Sequence, residues 1–173
     1  MAVPQPATRQ DLFSFLDELG LAYETQDHDA VFTVEESQSI KKNMPGCHSK
    51  NLFLKDKAGT LSLVVAVAET QVDLKALGKA IGAKQRLSFG KPDLMTEILG
   101  VIPGAVTPFA LINDRQQRIS HVILDERFAD CEQAWFHPLE NTASTAISFK
   151  NLQVFIHACG HDPAIMHLAN PGV

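Results

Sequence analysis

Hydrophobic and polar positions divide the chain into short, capped elements separated by glycine and proline. From Ser49 to Val67 two apolar, β-favouring runs flank a polar turn containing Gly59, which predicts a β-hairpin whose second strand is covered on both faces. Side chains on a strand alternate, so Lys50 falls on the face of Leu52 and Leu54, at the open end of that apolar row, and Asn51 falls on the face of Phe53. Upstream, Thr8-Arg9-Gln10-Asp11 reads as a capping box for an amphipathic helix through Leu12, Phe15, Leu16 and Leu19, stopped by Gly20. Ala22 to His28 predicts a short strand. Thr33-Val34-Glu35-Glu36 repeats the capping pattern ahead of a second helix that runs to Lys41 or Lys42, and Pro45-Gly46 breaks the chain before the hairpin. Asp73 caps a third helix through Leu74, Leu77 and Ile81 to Gly82, and Pro92 opens a fourth through Leu94, Ile98 and Leu99 to Gly100.

Beyond Gly100 the punctuation tightens. Gly100, Pro103, Gly104 and Pro108 predict a loop bounded by rigid turns, after which Phe109 to Ile112 and Arg118 to Leu124 are expected to pair as a second hairpin around Asn113-Asp114. Trp135 to Leu139 and Thr145 to Ser148 read as further short strands. Ser148 caps a last helix with Leu152, Phe155 and Ile156 facing inward and Gly160 ending it. Helices and strands mix without strict alternation, and no linker, repeat or low-complexity segment interrupts them. The expectation is a single domain over residues 1–173, of the α+β class, with a mixed, largely antiparallel sheet or partial barrel flanked by helices.

Composition narrows the setting. An apolar fraction of 45% with 20% charged residues is ordinary for a globular protein, and no apolar run reaches the roughly 20 residues of a membrane span. Met1-Ala2-Val3-Pro4-Gln5-Pro6 has neither a basic region nor an apolar core, so no secretory signal is read there and a cytoplasmic location is expected. Three cysteines, Cys47, Cys131 and Cys159, show no framework spacing and are expected to be reduced thiols. The net charge of −5 argues against indiscriminate nucleic-acid binding, DNA included, yet Lys41 to Lys91 holds ten basic residues against three acidic ones. Such a segment can be a face for a few phosphates or a set of solvated helix-surface charges.

Three kinds of chemistry can be weighed from the residues. His157, Cys159 and His161 offer metal-ligand types, but the spacing turns Cys159 away from the face shared by the two histidines, and no metal site is expected. Cys47-His48 is a thiol beside a base, though sequence neighbours point apart; a Gly-x-Ser-x-Gly elbow is absent. A lysine at a pocket mouth together with a glycine- and proline-constrained loop suits an already activated ester, whose hydrolysis needs an oriented water and a stabilised oxyanion. For Lys50 the structural alternative is a solvated strand end, for Gly104 and Pro108 a plain turn, and for His137 and Asn141 a polar pair fixing a strand end.

Ser49-Lys50-Asn51-Leu52-Phe53-Leu54, the Gly104-Ala105-Val106-Thr107-Pro108 loop and His137-Pro138-Leu139-Glu140-Asn141-Thr142 resemble, in that order, the free-standing editing proteins related to the insertion domain of bacterial prolyl-tRNA synthetase. The resemblance covers roughly Thr8 to Gly160. It implies the YbaK-like editing-domain fold and hydrolysis of mischarged prolyl-tRNA in trans, without metal or cofactor. It implies Lys50, Gly104 and His137 as catalytic positions, with Asn51, Val106, Pro108 and Asn141 around the substrate. The wording of the motifs is closest to the alanine-specific branch, so Ala-tRNA(Pro) is the expected substrate. Cys-tRNA(Pro), or a non-catalytic module binding tRNA or a synthetase, is the alternative. The tRNA(Pro) acceptor end is the implied partner, with prolyl-tRNA synthetase a further one.

Overall fold

A computed structural model describes residues 4–30 and 34–169, without the side chains of residues 34, 35 and 37. The predicted hairpin is its centre. Strand β2 (Cys47–Lys55) pairs antiparallel with β3 (Leu61–Val67), from Ser49↔Val67 to Lys55↔Leu61. All seven residues of β3 are buried, as the unbroken apolar run requires. The turn is held by Asp56, whose carboxylate accepts the backbone N–H groups of Ala58, Thr60 and Lys84. Those hydrogen bonds, the one from Lys84 foremost, hold its carboxyl below the ordinary carboxylate range.

Alternation along β3 sorts the core into two layers. Leu61, Leu63, Val65 and Val67 face the larger layer, closed by Leu12 and Leu16 of α1 (Arg9–Glu18), Ile98 and Leu99 of α4 (Pro92–Leu99), and Phe155 and Ile156 of α5 (Phe149–Ala158). Val64 and Ala66 face the smaller layer with Leu54, Leu87 and Leu77 of α3 (Leu74–Ala80). The predicted caps are the observed ones: Thr8 closes a capping box with Asp11, Asp73 accepts from Ala76 N–H, and Ser148 accepts from Asn151 N–H. Gly100 ends α4 in the left-handed region. The second helix is α2 (Val34–Lys41), while its expected Thr33 cap lies outside the described residues.

The sheet is mixed, in the order β1-β7-β6-β2-β3-β5-β8 with β4 (Ser88–Phe89) also on β2. Strands β1 (Glu24–Asp27), β6 (Ala134–Phe136) and β7 (Ala143–Ile147) form one antiparallel wing. Strands β5 (Ile119–Asp125) and β8 (Ala164–Met166) add in parallel on the other side of β3. Of the seven pairings four are antiparallel.

Two expectations are corrected. Phe109 to Ile112 is not a strand, so no second hairpin forms; Pro108–Asn113 is a 3-10 helix, and β5 pairs with β3 instead. Thr107 caps it by accepting the Phe109 N–H, and Pro108 at its first turn starts it in helical geometry. The cysteines are not all thiols either. Cys47 and Cys131 form a disulfide with Cα atoms 5.9 Å apart, and Cys159 alone is free. Register explains it: Cys47 lies opposite Ala134 on the parallel neighbour β6, which brings Cys131 alongside despite a separation of 84 residues.

A buried carboxylate ties β5 to the end of β3 and the turn that follows it. Asp125, fully buried at the end of β5, accepts hydrogen bonds from Val67 N–H, Thr70 Oγ1 and Arg127 N–H. Truncation leaves those donors unmet in a dry site. Asp125→Ala is expected to lower the unfolding free energy by about 3 kcal/mol; a urea melt with an unchanged midpoint would remove Asp125 from the stabilising contacts.

Candidate active site

Strands β2 and β6 run in parallel for only two positions, Cys47↔Ala134 and His48↔Trp135. After that β2 stays with β3 and β6 stays with β7, so the two strands fork. Ser49 Oγ donates to the Trp135 carbonyl at 2.8 Å at the fork. Beyond it opens a cavity of about 170 Å³. His48, Ser49 and Asn51 line it from β2, and Trp135, Phe136 and His137 from β6 and its exit. Ile40, Lys41 and Met44 come from α2 and the turn after it, His28 follows β1, and Ser144 stands on β7. Met44, Trp135, Ala146 and Ile40 pack together as an apolar wall.

The polar groups are oriented from behind. His137 Nδ1 lies 2.9 Å from the Ala143 carbonyl, and because a carbonyl can only accept, Nδ1 carries the proton and Nε2 is a free lone pair. Burial lowers the His137 pKa from the ordinary 6.5 and outweighs the carbonyl contact. His28 is held alike: Nδ1 is 2.8 Å from the Asp29 carbonyl, and Nε2 is 2.8 Å from Ser144 Oγ. The two rings are 6.3 Å apart. His48 donates from Nε2 to the Met44 carbonyl at 2.9 Å, and its pKa too is lowered by burial. Asn51 donates to Ser49 Oγ at 3.3 Å, while its Oδ1 is buried without a donor.

Two segments carrying these rings are clamped together. Arg9 on α1 bridges Asp27, beside His28, at 2.6 Å and Glu140, three residues past His137, at 2.8 Å. The His137 turn also contains Leu139 at φ +71°, a left-handed conformation uncommon for a side chain of that size.

Of the residues singled out from the sequence, His137 and Asn51 meet in the cavity. Lys50 does not line it; it is half-buried, makes no hydrogen bond or ion pair among the described residues, and shares a face with His48 about 7 Å along the strand. The structural alternative of a His137–Asn141 polar pair is not formed, since His137 uses the Ala143 carbonyl. Asn141 instead neighbours Gly104, whose φ is +91° and whose modest surroundings hold Asn141 Nδ2 3.9 Å from an added Cβ. The Gly100–Pro108 loop therefore passes near the turn that carries His137. Val106 is half-buried against the larger core layer and Pro108 is buried in its 3-10 helix. His157, Cys159 and His161 stand elsewhere: His161 Nε2 is 3.1 Å from Asp114 Oδ2, and burial pushes the Cys159 thiol up to about 12. His28 carried no sequence signal, His48 was weighed only as a base beside Cys47, and Ser144 only as the end of the His137 segment; the β1–β7 register, with Asp27 opposite Ala143, puts His28 beside Ser144.

The chain is thus an α+β domain with a forked mixed sheet and a small cavity lined by oriented imidazoles. The aminoacyl-tRNA editing domain matches residues 28–155, and the chain belongs to that family. It is 37% identical over 163 residues to prolyl-tRNA synthetase associated domain-containing protein 1 of Xenopus laevis, covering 92% of this chain and 96% of that one. It is 34% identical over 154 residues to the prolyl-tRNA editing protein ProX of Acetoanaerobium sticklandii, with 88% and 93% covered. A solved structure described provisionally as a trans-editing enzyme for prolyl-tRNA synthetase superposes with a TM-score of 0.70 at 16% identity over 96% of this chain and 98% of that one, which shows the fold. Among the described residues no helix is long and apolar enough to cross a membrane.

The state of His137 can be measured directly. Its depressed pKa means the neutral ring is the folded form, so its contribution to stability is fully present above 6.5 and is lost as pH falls through the lower folded value. An NMR titration is expected to give a midpoint below 6.5. A midpoint at or above that value would contradict a ring held neutral by burial.

Proposed function

We propose that the protein is a trans-acting aminoacyl-tRNA deacylase that hydrolyses mischarged Ala-tRNA(Pro) in the cytoplasm, without metal or cofactor. The observation that carries this reading is the cavity at the fork. About 170 Å³, walled on one side by Ile40, Met44 and Trp135 and on the other by His137 and Asn51, suits a small aminoacyl group better than a large one. The family match and the name of the ProX relative support the substrate class.

The ester linking an amino acid to the tRNA 3′ end is activated, so positioning and charge stabilisation supply most of the catalysis. His137 and Asn51 hold the aminoacyl group from the cavity wall. Lys50, between Ser49 and Asn51 on β2, meets the negative charge of the terminal nucleotide or of the developing oxyanion. Gly104, free of a side chain, lets the loop backbone come close to the reacting carbonyl, with Val106, Pro108 and Asn141 shaping and stiffening that approach. The basic stretch from Lys41 to Lys91 supplies contacts for acceptor-end phosphates of tRNA(Pro), alone or on prolyl-tRNA synthetase.

Selectivity follows from size. Prolyl is larger than alanyl and is refused sterically, as in the fine sieve of a double-sieve scheme. Incubation with Ala-tRNA(Pro), Cys-tRNA(Pro) and Pro-tRNA(Pro) is expected to discharge the alanyl ester and spare the prolyl one. Comparable rates on alanyl and prolyl esters would sink the editing reading, and binding without turnover would make the protein a tRNA-binding module. Lys50→Ala is expected to cut deacylation by orders of magnitude with little change in thermal midpoint, because a half-buried, unbonded lysine contributes little to folding. Wild-type turnover in that variant would take Lys50 out of the mechanism.

A further inference from the structure

A covalent bond stands where the fork begins. Cys47 is the first residue of β2 and precedes His48, which lines the cavity. Cys131 follows the 3-10 helix Glu126–Asp130 and leads into β6. Their disulfide, over a separation of 84 residues, encloses the β2–β3 hairpin, α3, α4 and β5, and ties the start of one arm of the fork to the approach of the other. Weaker contacts join the same segments. The Pro45 carbonyl accepts Gln133 Nε2–H and Trp135 Nε1–H, each at 2.9 Å, and the Gln133 carbonyl accepts the Cys47 N–H at 3.0 Å. With the two-residue ladder of β2 on β6, these dock the wing without a covalent bond, so the disulfide adds rigidity to a joint that exists in its absence.

We infer that Cys47 and Cys131 are a reversible thiol–disulfide couple, exchanging with low-molecular-weight disulfides of the glutathione type, whose oxidation locks the β2–β6 fork and whose reduction loosens it. The Cα atoms are 5.9 Å apart, a distance a disulfide spans without backbone movement. In the cytoplasm, where the proposed function places the chain, thiols are kept reduced, and the disulfides that do form are transient or redox-sensing. Both residues are half-buried, within reach of a small reagent. Cys47 packs against the larger core layer, which leaves Cys131, in the irregular segment before β6, as the first to react. Its thiolate attacks one sulfur of the small disulfide and expels one small thiolate; the Cys47 thiolate then attacks the Cys131 sulfur and expels the second. Two protein thiols give up two electrons and two protons, and one small disulfide becomes two small thiols. The cavity wall formed by Met44, Trp135 and Ala146 is held through Pro45, which lies between Met44 and Cys47, so fixing Cys47 fixes the wall. On the deacylase reading, on which this last step alone rests, a locked wall refuses the prolyl group more strictly than a loosened one.

The chain holds one tryptophan, so the Trp135 indole N–H resonance reports on that wall directly. The wild-type protein is equilibrated in glutathione buffers from fully reduced to fully oxidised, and the disulfide fraction is read by thiol alkylation and mass. That fraction is expected to rise from none to complete and to reverse, with the Trp135 resonance moving in step. The thermal midpoint is expected to be at least about 5 °C higher in the disulfide form. Cys159→Ser is expected to keep the response and Cys131→Ser to abolish it. A protein that stays dithiol in glutathione disulfide, or keeps the bond in reduced glutathione, overturns the couple. So does a Trp135 resonance or a thermal midpoint that ignores the bond. The ratio of alanyl to prolyl ester cleavage is expected to be about 10-fold higher in the disulfide form, the scale on which a pocket discriminates by one methylene. Equal ratios in the two forms overturn the lock. If neither ester is cleaved while Trp135 still follows the bond, the deacylase reading fails and the couple stands.

Discussion

The parallel pairing of β2 with β6 lasts for two residues, and the rest of the site depends on where it stops. A longer ladder would seal the fork and leave no cavity. A shorter one would detach the wing of β1, β6 and β7 from the central hairpin, since among the described residues that pairing is the wing's only ladder to β2. Its start is held closely. Cys47 N–H donates to the Gln133 carbonyl at 3.0 Å, and the Cys47–Cys131 disulfide ties the same two chain segments. Gly46 is required there: its φ is +115°, and an added Cβ would stand 2.5 Å from the Gln133 oxygen.

Backbone carbonyls do the orienting work inside the cavity. Those of Asp29, Met44 and Ala143 each take one imidazole N–H, so a main-chain acceptor orients each of three rings. Burial lowers the pKa of His48 and of His137, and the carbonyl contacts offset that only in part. Arg9 then fixes the spacing between the chain segments, holding the residue before His28 and the turn after His137 with one guanidinium. It is partly exposed, so each ion pair contributes modestly; its value lies in geometry.

Much of the fold could be read from local pattern, and the failures have a common cause. The hairpin from Ser49 to Val67, the Thr8, Asp73 and Ser148 caps and the Gly100 stop are signals carried within a few residues, and each stands as read. Phe109 to Ile112 misled because a short buried apolar run has no period that separates strand from helix, although Thr107-Pro108 is a helix start. Strands of two or three residues, β4 and β8, are too short to carry a pattern. The disulfide, and the meeting of His28 with Ser144, depend on register across the sheet, over separations of 84 and 116 residues. For the site, the Asn51 and His137 segments converge on one cavity, whereas Lys50 and the Gly104 loop are not part of its lining.

Charge in the central stretch is more one-sided than the sequence count suggests. Of its three acidic residues, Asp56 is buried with its oxygens bonded to backbone N–H groups, and Asp73 spends an oxygen capping α3. Neither carboxylate is paired with a lysine. Of the ten basic residues, Lys42, Lys57, Lys75, Lys79, Lys84, Arg86 and Lys91 are exposed, and none of the ten forms a salt bridge among the described residues. Unpaired exposed cations on both sides of the β2–β3 hairpin leave a positive field that a protein with net charge −5 would not show on average. In the proposed function, a polyanion drawn to that field approaches the strand that carries Lys50 and Asn51, so long-range attraction and the cavity's size selection act along the same element.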